Sequence, residues 1–107
     1  MARDRLEQLS IFLAEDPTDA FTLFALAQEH TKRGDLEVAR ETYERLVSVA
    51  PEYTGTYYHL GMLHRKLGRE KEAAAVFECG IAVSRAQRAW KDLSELQDAL
   101  LEVQGLE

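Results

Sequence analysis

The strongest constraint on the fold of this chain is an internal repeat of 34 residues. When residues 20–53 are aligned with residues 54–87, eight positions are identical, whereas average composition alone would give roughly two. The identical pairs are Thr22/Thr56, Leu26/Leu60, His30/His64, Lys32/Lys66, Gly34/Gly68, Ala39/Ala73, Glu44/Glu78 and Val49/Val83. A fixed period of this length is typical of stacked copies of one supersecondary unit.

Each unit has the apolar spacing of two helices with a glycine between them. In the first unit, apolar stripes with three- and four-residue steps begin at Leu23 and at Leu36. Gly34 lies between the stripes and can adopt the left-handed conformation that ends a helix, and Gly68 has the same place in the second unit. Asp35 is a good N-cap residue for the helix that follows.

Prolines mark the beginning of each unit. Pro17 and Pro51 are 34 residues apart, and each fits a helix start, because a proline at the first helical position loses no needed hydrogen bond. Arg85 occupies the third slot, so the last helix begins without this signal. The periodicity predicts an all-α fold of about six helices, over residues 3–15, 18–33, 35–49, 52–67, 69–84 and 87–103.

We interpret the whole chain as a single domain, 1–107. It contains a partial leading repeat over 3–19, two complete repeats over 20–53 and 54–87, and a capping helix over 88–103. The register places Leu9 in the position of Tyr43 and Phe77. Gly80 stands where the first unit has Leu46, which predicts looser packing in the second hairpin.

The pattern of residues within the two 34-residue units resembles the tetratricopeptide repeat. The matching residues are Tyr57-x-x-Leu60-Gly61-x-x-His64 and Ala73-x-x-x-Phe77 in the second unit, and Leu23-x-x-Leu26-Ala27-x-x-His30, Ala39-x-x-x-Tyr43 and Pro51 in the first. The resemblance implies a right-handed α-solenoid of antiparallel helix pairs. Small residues such as Gly61 let paired helices approach closely, and we expect Tyr43 and Phe77 to fill the space between successive hairpins.

The resemblance also implies that the first helix of each pair lines a concave groove that binds a protein or peptide partner. It places there Phe21, Phe24, Ala25, Gln28, Thr31 and Lys32 of the first unit, Gly55, Tyr58, His59, Met62, Arg65 and Lys66 of the second, and Lys91 and Glu95 of the last helix. The aromatic residues and the methionine lie outside the core stripe, which is typical of an interaction site. The basic residues would suit an acidic or carboxylate-bearing peptide. The predicted function is therefore an adaptor.

Two alternatives concern the same surface. The terminal helices could fold over it and bury its apolar residues as ordinary core. The chain could also associate with a second copy, because about three repeats are normally needed for a stable stack and only two complete ones are present. A homodimer that abuts the chain ends would complete that core.

The sequence offers little for catalysis. His30 and His64 could form a metal or acid–base pair, although the ordinary interpretation is that each fills a position between helices. Cys79 is the only cysteine, and it is most simply structural or incidental. A glycine-rich phosphate loop and a Gly-x-Ser-x-Gly motif are both missing from the sequence, so we expect neither enzyme activity nor a cofactor.

Charge and hydropathy bear on partners and location. A net charge of −6 disfavours binding to nucleic acid or to an anionic membrane. The sequence contains no apolar run near the ~18 residues of a membrane span, and its amino terminus carries no secretory apolar block. A single cysteine is compatible with a reducing compartment. We therefore expect a cytoplasmic protein.

Overall fold

The computed structural model describes residues 4–105, and within that range the chain forms six helices and no strand. In chain order these are α1 (Arg5–Glu15), α2 (Ala20–Lys32), α3 (Leu36–Val49), α4 (Gly55–Lys66), α5 (Glu70–Gln87) and α6 (Trp90–Gln104). The predicted all-α fold is confirmed. Residue 3, predicted to begin the first helix, lies outside the described residues.

The helices fall into two compact units that divide between Ala50 and Pro51. In the first unit, α2 packs against α1 and α3. In the second, α4, α5 and α6 all pack against one another. Within residues 4–105, none of the helices is both long enough and apolar enough to cross a membrane.

Glycines end the first helix of each complete hairpin, as predicted. Gly34 and Gly68 have φ values of 84° and 76°, in the left-handed region that residues with a Cβ avoid. The N–H after each glycine bonds back to the carbonyl of a histidine, His30 at 2.9 Å and His64 at 2.8 Å, which satisfies an end carbonyl. Asp35 holds the N-cap position of α3, but its side chain makes no capping hydrogen bond in the described structure.

The two prolines precede their helices. Pro17 and Pro51 lie in turns, three residues before α2 and four before α4, so both helices begin later than the predicted residues 18 and 52. The cap of α2 explains its later start, because the Asp19 carboxylate accepts the N–H of Thr22 at 2.9 Å. The Pro51 carbonyl accepts a hydrogen bond from the hydroxyl of Tyr57, in the first turn of α4.

The fifth helix is longer than predicted. The repeat position that holds proline in the earlier units is Arg85 here. Arginine keeps the backbone N–H that proline lacks, so α5 continues to Gln87. It ends at Arg88, whose φ of 58° is left-handed although the residue is not glycine. The N–H of Ala89 closes this turn on the carbonyl of Ser84 at 2.9 Å.

The leading helix buries the residue that the register selects. Leu9 is buried in a cluster with Ala25 and Leu26 of α2, and Leu6 and Leu13 pack against that cluster. Spacings of three and four residues put the three leucines on one face of α1. This contact attaches the half-repeat to the first hairpin.

Two glycines allow close helix approach in the second unit. An added Cβ at Gly61 would lie 2.2 Å from Cε1 of Phe77, and one at Gly80 would lie 2.5 Å from Cβ of Tyr57 and 3.0 Å from Cδ1 of Leu96. The expected looser packing at Gly80 is therefore wrong. Tyr57 and Leu96 fill the space that a side chain there would occupy.

The core aromatic rings make their described contacts inside their own hairpins, although we expected them between hairpins. Tyr43 of α3 meets Phe24 of α2 edge to face, with ring centroids 5.9 Å apart. Phe77 of α5 lies against Gly61 and beside Tyr58 of α4, with a centroid distance of 6.5 Å to Tyr58. Each ring therefore fixes the approach of its two helices.

Burial of Tyr43 predicts a loss of stability in alkali. Burial raises its pKa from 10.0 to about 12, although a hydrogen bond with Thr31 acts in the opposite direction. Because the folded pKa is the higher one, this contribution is full below pH 10 and is lost as the pH rises through about 12. Between these values the free energy of unfolding should fall by about 2 kcal/mol more in the wild type than in Tyr43→Phe. Urea unfolding at fixed pH measures this difference, and parallel pH profiles would contradict it.

Candidate functional site

The predicted binding residues of the first unit divide between solvent and core. Phe21 is 73% exposed on α2, and Gln28 and Lys32 are exposed as well. Phe24 is half-buried, and the covered part of its ring packs against the ring of Tyr43. Phe24 therefore supports the core while leaving part of its surface accessible.

One predicted groove residue of this unit belongs to the core. Ala25 is 6% exposed and packs with Leu9 and Leu26 under α1. Its placement in the groove was wrong. The leading half-repeat covers this side of α2, which leaves the turn carrying Phe21 as the accessible apolar part.

In the second unit, predicted residues line a cavity between α4 and α6. Tyr58 and Met62 lie one turn apart on α4, and both are half-buried. Ala99 of α6 lies opposite them and leaves room because its side chain is small. The cavity has a volume of about 160 Å³.

The remaining lining of this cavity is acidic. Glu95, Asp98 and Glu102 of α6 complete it, and their spacing of three and four residues places them along one side of the helix. All three are exposed. Sequence reasoning placed Glu95 in the groove but missed Asp98 and Glu102, although the i, i+3, i+7 spacing of carboxylates on the last helix was the available signal.

The basic residues do not surround this cavity as expected. Arg65 of α4 is engaged with the acidic side, because its Nη1 lies 3.2 Å from Oε1 of Glu102. Lys66 ends α4 and Lys91 lies in the first turn of α6, both exposed. The cavity lining itself consists of carboxylates and apolar side chains, which revises the expectation of an acidic ligand.

His59 follows the cavity residue Tyr58 in α4. Its ring stands edge to face with that of Tyr58, at a centroid distance of 5.9 Å. Desolvation lowers the pKa of His59, and the nearby Glu95 carboxylate acts in the opposite direction. Burial therefore disfavours the charged form of this imidazole.

The histidines considered for catalysis lie in packing positions. His64 is buried in the second unit, while His30 is half-buried in the first with Nδ1 3.9 Å from Oδ2 of Asp35. Cys79 is an exposed residue of α5. Over residues 4–105, the structure contains no group of three or more histidine, cysteine, aspartate or glutamate side chains placed to hold a metal ion.

A second cavity of the second unit is more apolar. It lies between α5 and α6, has a volume of about 440 Å³ and is lined by Ile81, Arg85, Gln97, Asp98, Leu100 and Leu101. Leu101 is 44% exposed, and Trp90 of the same helix is 60% exposed. Both side chains are large apolar groups of α6 that remain accessible to solvent.

Comparison with known proteins agrees with this architecture. The chain is 30% identical over 92 residues to the photosystem I assembly protein Ycf3 of Rippkaea orientalis, a match that covers 78% of this chain and 50% of that protein. Against Ycf3 of a Synechococcus elongatus strain, it is 31% identical over 68 residues, or 39% of that protein. The chain thus spans half or less of the length of these curated relatives.

Solved structures give the same fold. The solution structure of a tetratricopeptide repeat domain protein from Salinibacter ruber superposes with a TM-score of 0.80 at 50% identity, covering 86% of this chain and 93% of that one. PcrH, crystallised with the chaperone binding region of PopD, has a TM-score of 0.88 at 20% identity and shares the fold alone, over 94% of this chain and 76% of its own.

The two repeats found in the sequence are also those that a family model recognises. The model is described as a tetratricopeptide repeat, and it matches residues 22–53 and 54–87. These ranges cover the two glycine-ended hairpins α2–α3 and α4–α5, except for the first two residues of α2. The chain belongs to the tetratricopeptide repeat family.

Proposed function

We propose that this chain is a protein-interaction module that binds a segment of a partner protein on the face formed by α4 and α6. The observation that carries the proposal is the cavity in which Tyr58 and Met62 face Ala99. Apolar side chains that remain accessible beside a polar rim are typical of interaction surfaces. The aromatic ring and the methionine would supply most of the contact area.

The known relatives favour binding over catalysis. Ycf3 is named as an assembly protein, and PcrH has been solved with the chaperone binding region of PopD. PcrH and this chain share a fold, so the fold that holds a segment of PopD in PcrH is a suitable scaffold for holding a partner segment here. We therefore propose that this chain acts by binding, and that His30 and His64 serve packing.

The face of α2 is a second surface of the same module. Phe21 exposes most of its side chain, and Gln28 and Lys32 lie on the same helix. Phe24 and Gln28 occupy the repeat positions of Tyr58 and Met62. We propose that this surface of the first unit is a separate contact site for a partner protein.

The experiment that tests the proposal is affinity capture from a lysate of the source cell with two matched variants. Met62→Arg places a long side chain over the cavity of the second unit. Ser48→Arg introduces the same residue at an exposed position of α3. We expect the wild type and Ser48→Arg to retain the same partner, and Met62→Arg to lose at least about 90% of it, since truncating or blocking a central contact costs about 2 kcal/mol.

Circular dichroism and thermal unfolding of both variants show whether they are folded. Equal retention by a folded Met62→Arg protein would contradict the proposed face. In that case the partner binds elsewhere on the chain.

Self-association is a second candidate function, favoured by the exposed Trp90 and Leu101 beside the apolar α5–α6 cavity. A second copy could bury these residues, as a homodimer would. Light scattering over a concentration series distinguishes the two candidates. A mass that rises toward twice 12.2 kDa and falls in Leu101→Glu favours the dimer, whereas a constant monomer mass contradicts it.

A further inference from the structure

We infer that the α4–α6 cavity receives one basic side chain, a lysine or an arginine, of the partner segment; this inference rests on the proposed function. Its volume of about 160 Å³ is below the roughly 300–1,000 Å³ of small-molecule sites. The space therefore suits one side chain better than a complete cofactor. The charge of the cavity walls and their apolar surface indicate which kind of side chain binds there.

Negative charge dominates the walls. Glu95, Asp98 and Glu102 line the cavity, and Arg65 is paired with one of them, Glu102, at 3.2 Å. That pair shows a guanidinium held at this rim, and the two further carboxylates are available to a second cation. An acidic side chain would be repelled here, because like charges in close proximity are unfavourable.

The apolar wall suits the stem of a basic side chain. Tyr58 and Met62 stand on α4, across the cavity from the carboxylates of α6. Lysine and arginine lay their methylene groups along apolar surface and keep the charged end at the rim. A cation near the Tyr58 ring would also gain a cation–π contact. A solvated acidic helix alone would lack both features.

Titration with three blocked tripeptides tests the inference by NMR of the ¹⁵N-labelled full chain. The peptides are Leu-Arg-Leu, Leu-citrulline-Leu and Leu-Glu-Leu, where citrulline keeps the shape of arginine without its charge. We expect Leu-Arg-Leu to shift the amide signals around Met62 and Asp98. It should bind about five- to tenfold more tightly than the citrulline peptide, as expected for a partly exposed charge-assisted contact, and salt should weaken it.

Two variants locate the charge effect. The double variant Glu95→Gln/Asp98→Asn should bind Leu-Arg-Leu as weakly as the wild type binds the citrulline peptide. The control Glu41→Gln/Glu78→Gln, two exposed changes on α3 and α5, also removes two negative charges, but elsewhere, and should keep the wild-type affinity. An equal loss in both would point to net charge rather than this cavity and would overturn the inference.

The peptide series separates this inference from the proposed function. Tighter binding of the citrulline or glutamate peptide at the same amides would overturn the basic-side-chain inference and leave the binding face standing. No shift with any of the three peptides would also overturn it. The lysate capture with Met62→Arg then decides the proposed function independently.

Discussion

Replacing Phe77 with alanine is expected to lower the free energy of unfolding by about 3–5 kcal/mol, the usual cost of removing a buried phenylalanine ring. Phe77 is 0% exposed, and its ring fills the space beside Gly61 that a Cβ would enter, 2.2 Å from Cε1. Truncation leaves a cavity between α4 and α5 that their packed backbones cannot fully close. Urea unfolding followed by circular dichroism measures the loss. An unchanged midpoint and slope would contradict the packing described.

A double-mutant cycle tests whether Gly61 and Phe77 are energetically coupled through their contact. Gly61→Ala alone should destabilise by about 1–3 kcal/mol through overpacking, even though alanine has the better helix propensity by ~1 kcal/mol. In the Phe77→Ala background the new methyl group enters vacated space. The double variant should therefore be more stable than the sum of the single effects predicts. Simple additivity would show that the two positions do not share this contact.

Gly80→Val is expected to remove the cooperative unfolding transition of the chain, and Gly80→Ala to cost about 3 kcal/mol. A Cβ at Gly80 would lie 2.5 Å from Cβ of Tyr57. The Tyr57 Cβ is fixed to the backbone, so α4 and α5 must separate to relieve the clash. At Gly61 the obstacle is a ring that can turn, which predicts a larger penalty at Gly80.

Thermal unfolding of Gly80→Ala beside Glu78→Ala checks this prediction. Glu78 is an exposed residue of the same helix, so its replacement should change stability by less than about 0.5 kcal/mol. Wild-type stability of Gly80→Ala would contradict the close approach of the two helices.

The six helices follow from the sequence because their signals are local. Three- and four-residue apolar steps define each helical face, and the left-handed turns at Gly34 and Gly68 require a residue without a Cβ. The helix starts were less predictable. Proline fits a first helical position and also a turn before it, and the Asp19 cap decided the outcome for α2.

Packing between helices was the part that sequence reasoning could not resolve. The register of Gly80 with Leu46 indicated missing volume, whereas Tyr57 and Leu96 supply that volume from neighbouring helices. Ala25 was likewise assigned to a groove, because its burial depends on the position of α1. Such contacts join residues far apart in the chain, and composition does not reveal them.

The candidate site was predicted on its α4 side. Tyr58 and Met62 were chosen from the helical register and do line a cavity, although Tyr58 also contacts the core ring of Phe77. On the acidic side Glu95 was placed in the groove, whereas Asp98 and Glu102 were missed because the first residues of α6 depart from the repeat pattern. Only the packing of α6 beside α4 places those charges opposite the predicted residues.

The most direct test of the interaction face is site-specific photo-crosslinking in the source cell. Met62 is replaced with p-benzoylphenylalanine in one sample and the exposed Ser48 in a matched sample, and crosslinked products are identified by mass spectrometry. The account predicts that position 62 crosslinks to a segment of another protein and that position 48 does not. Equal products from both positions, or none at position 62 while the partner is still captured, would contradict it.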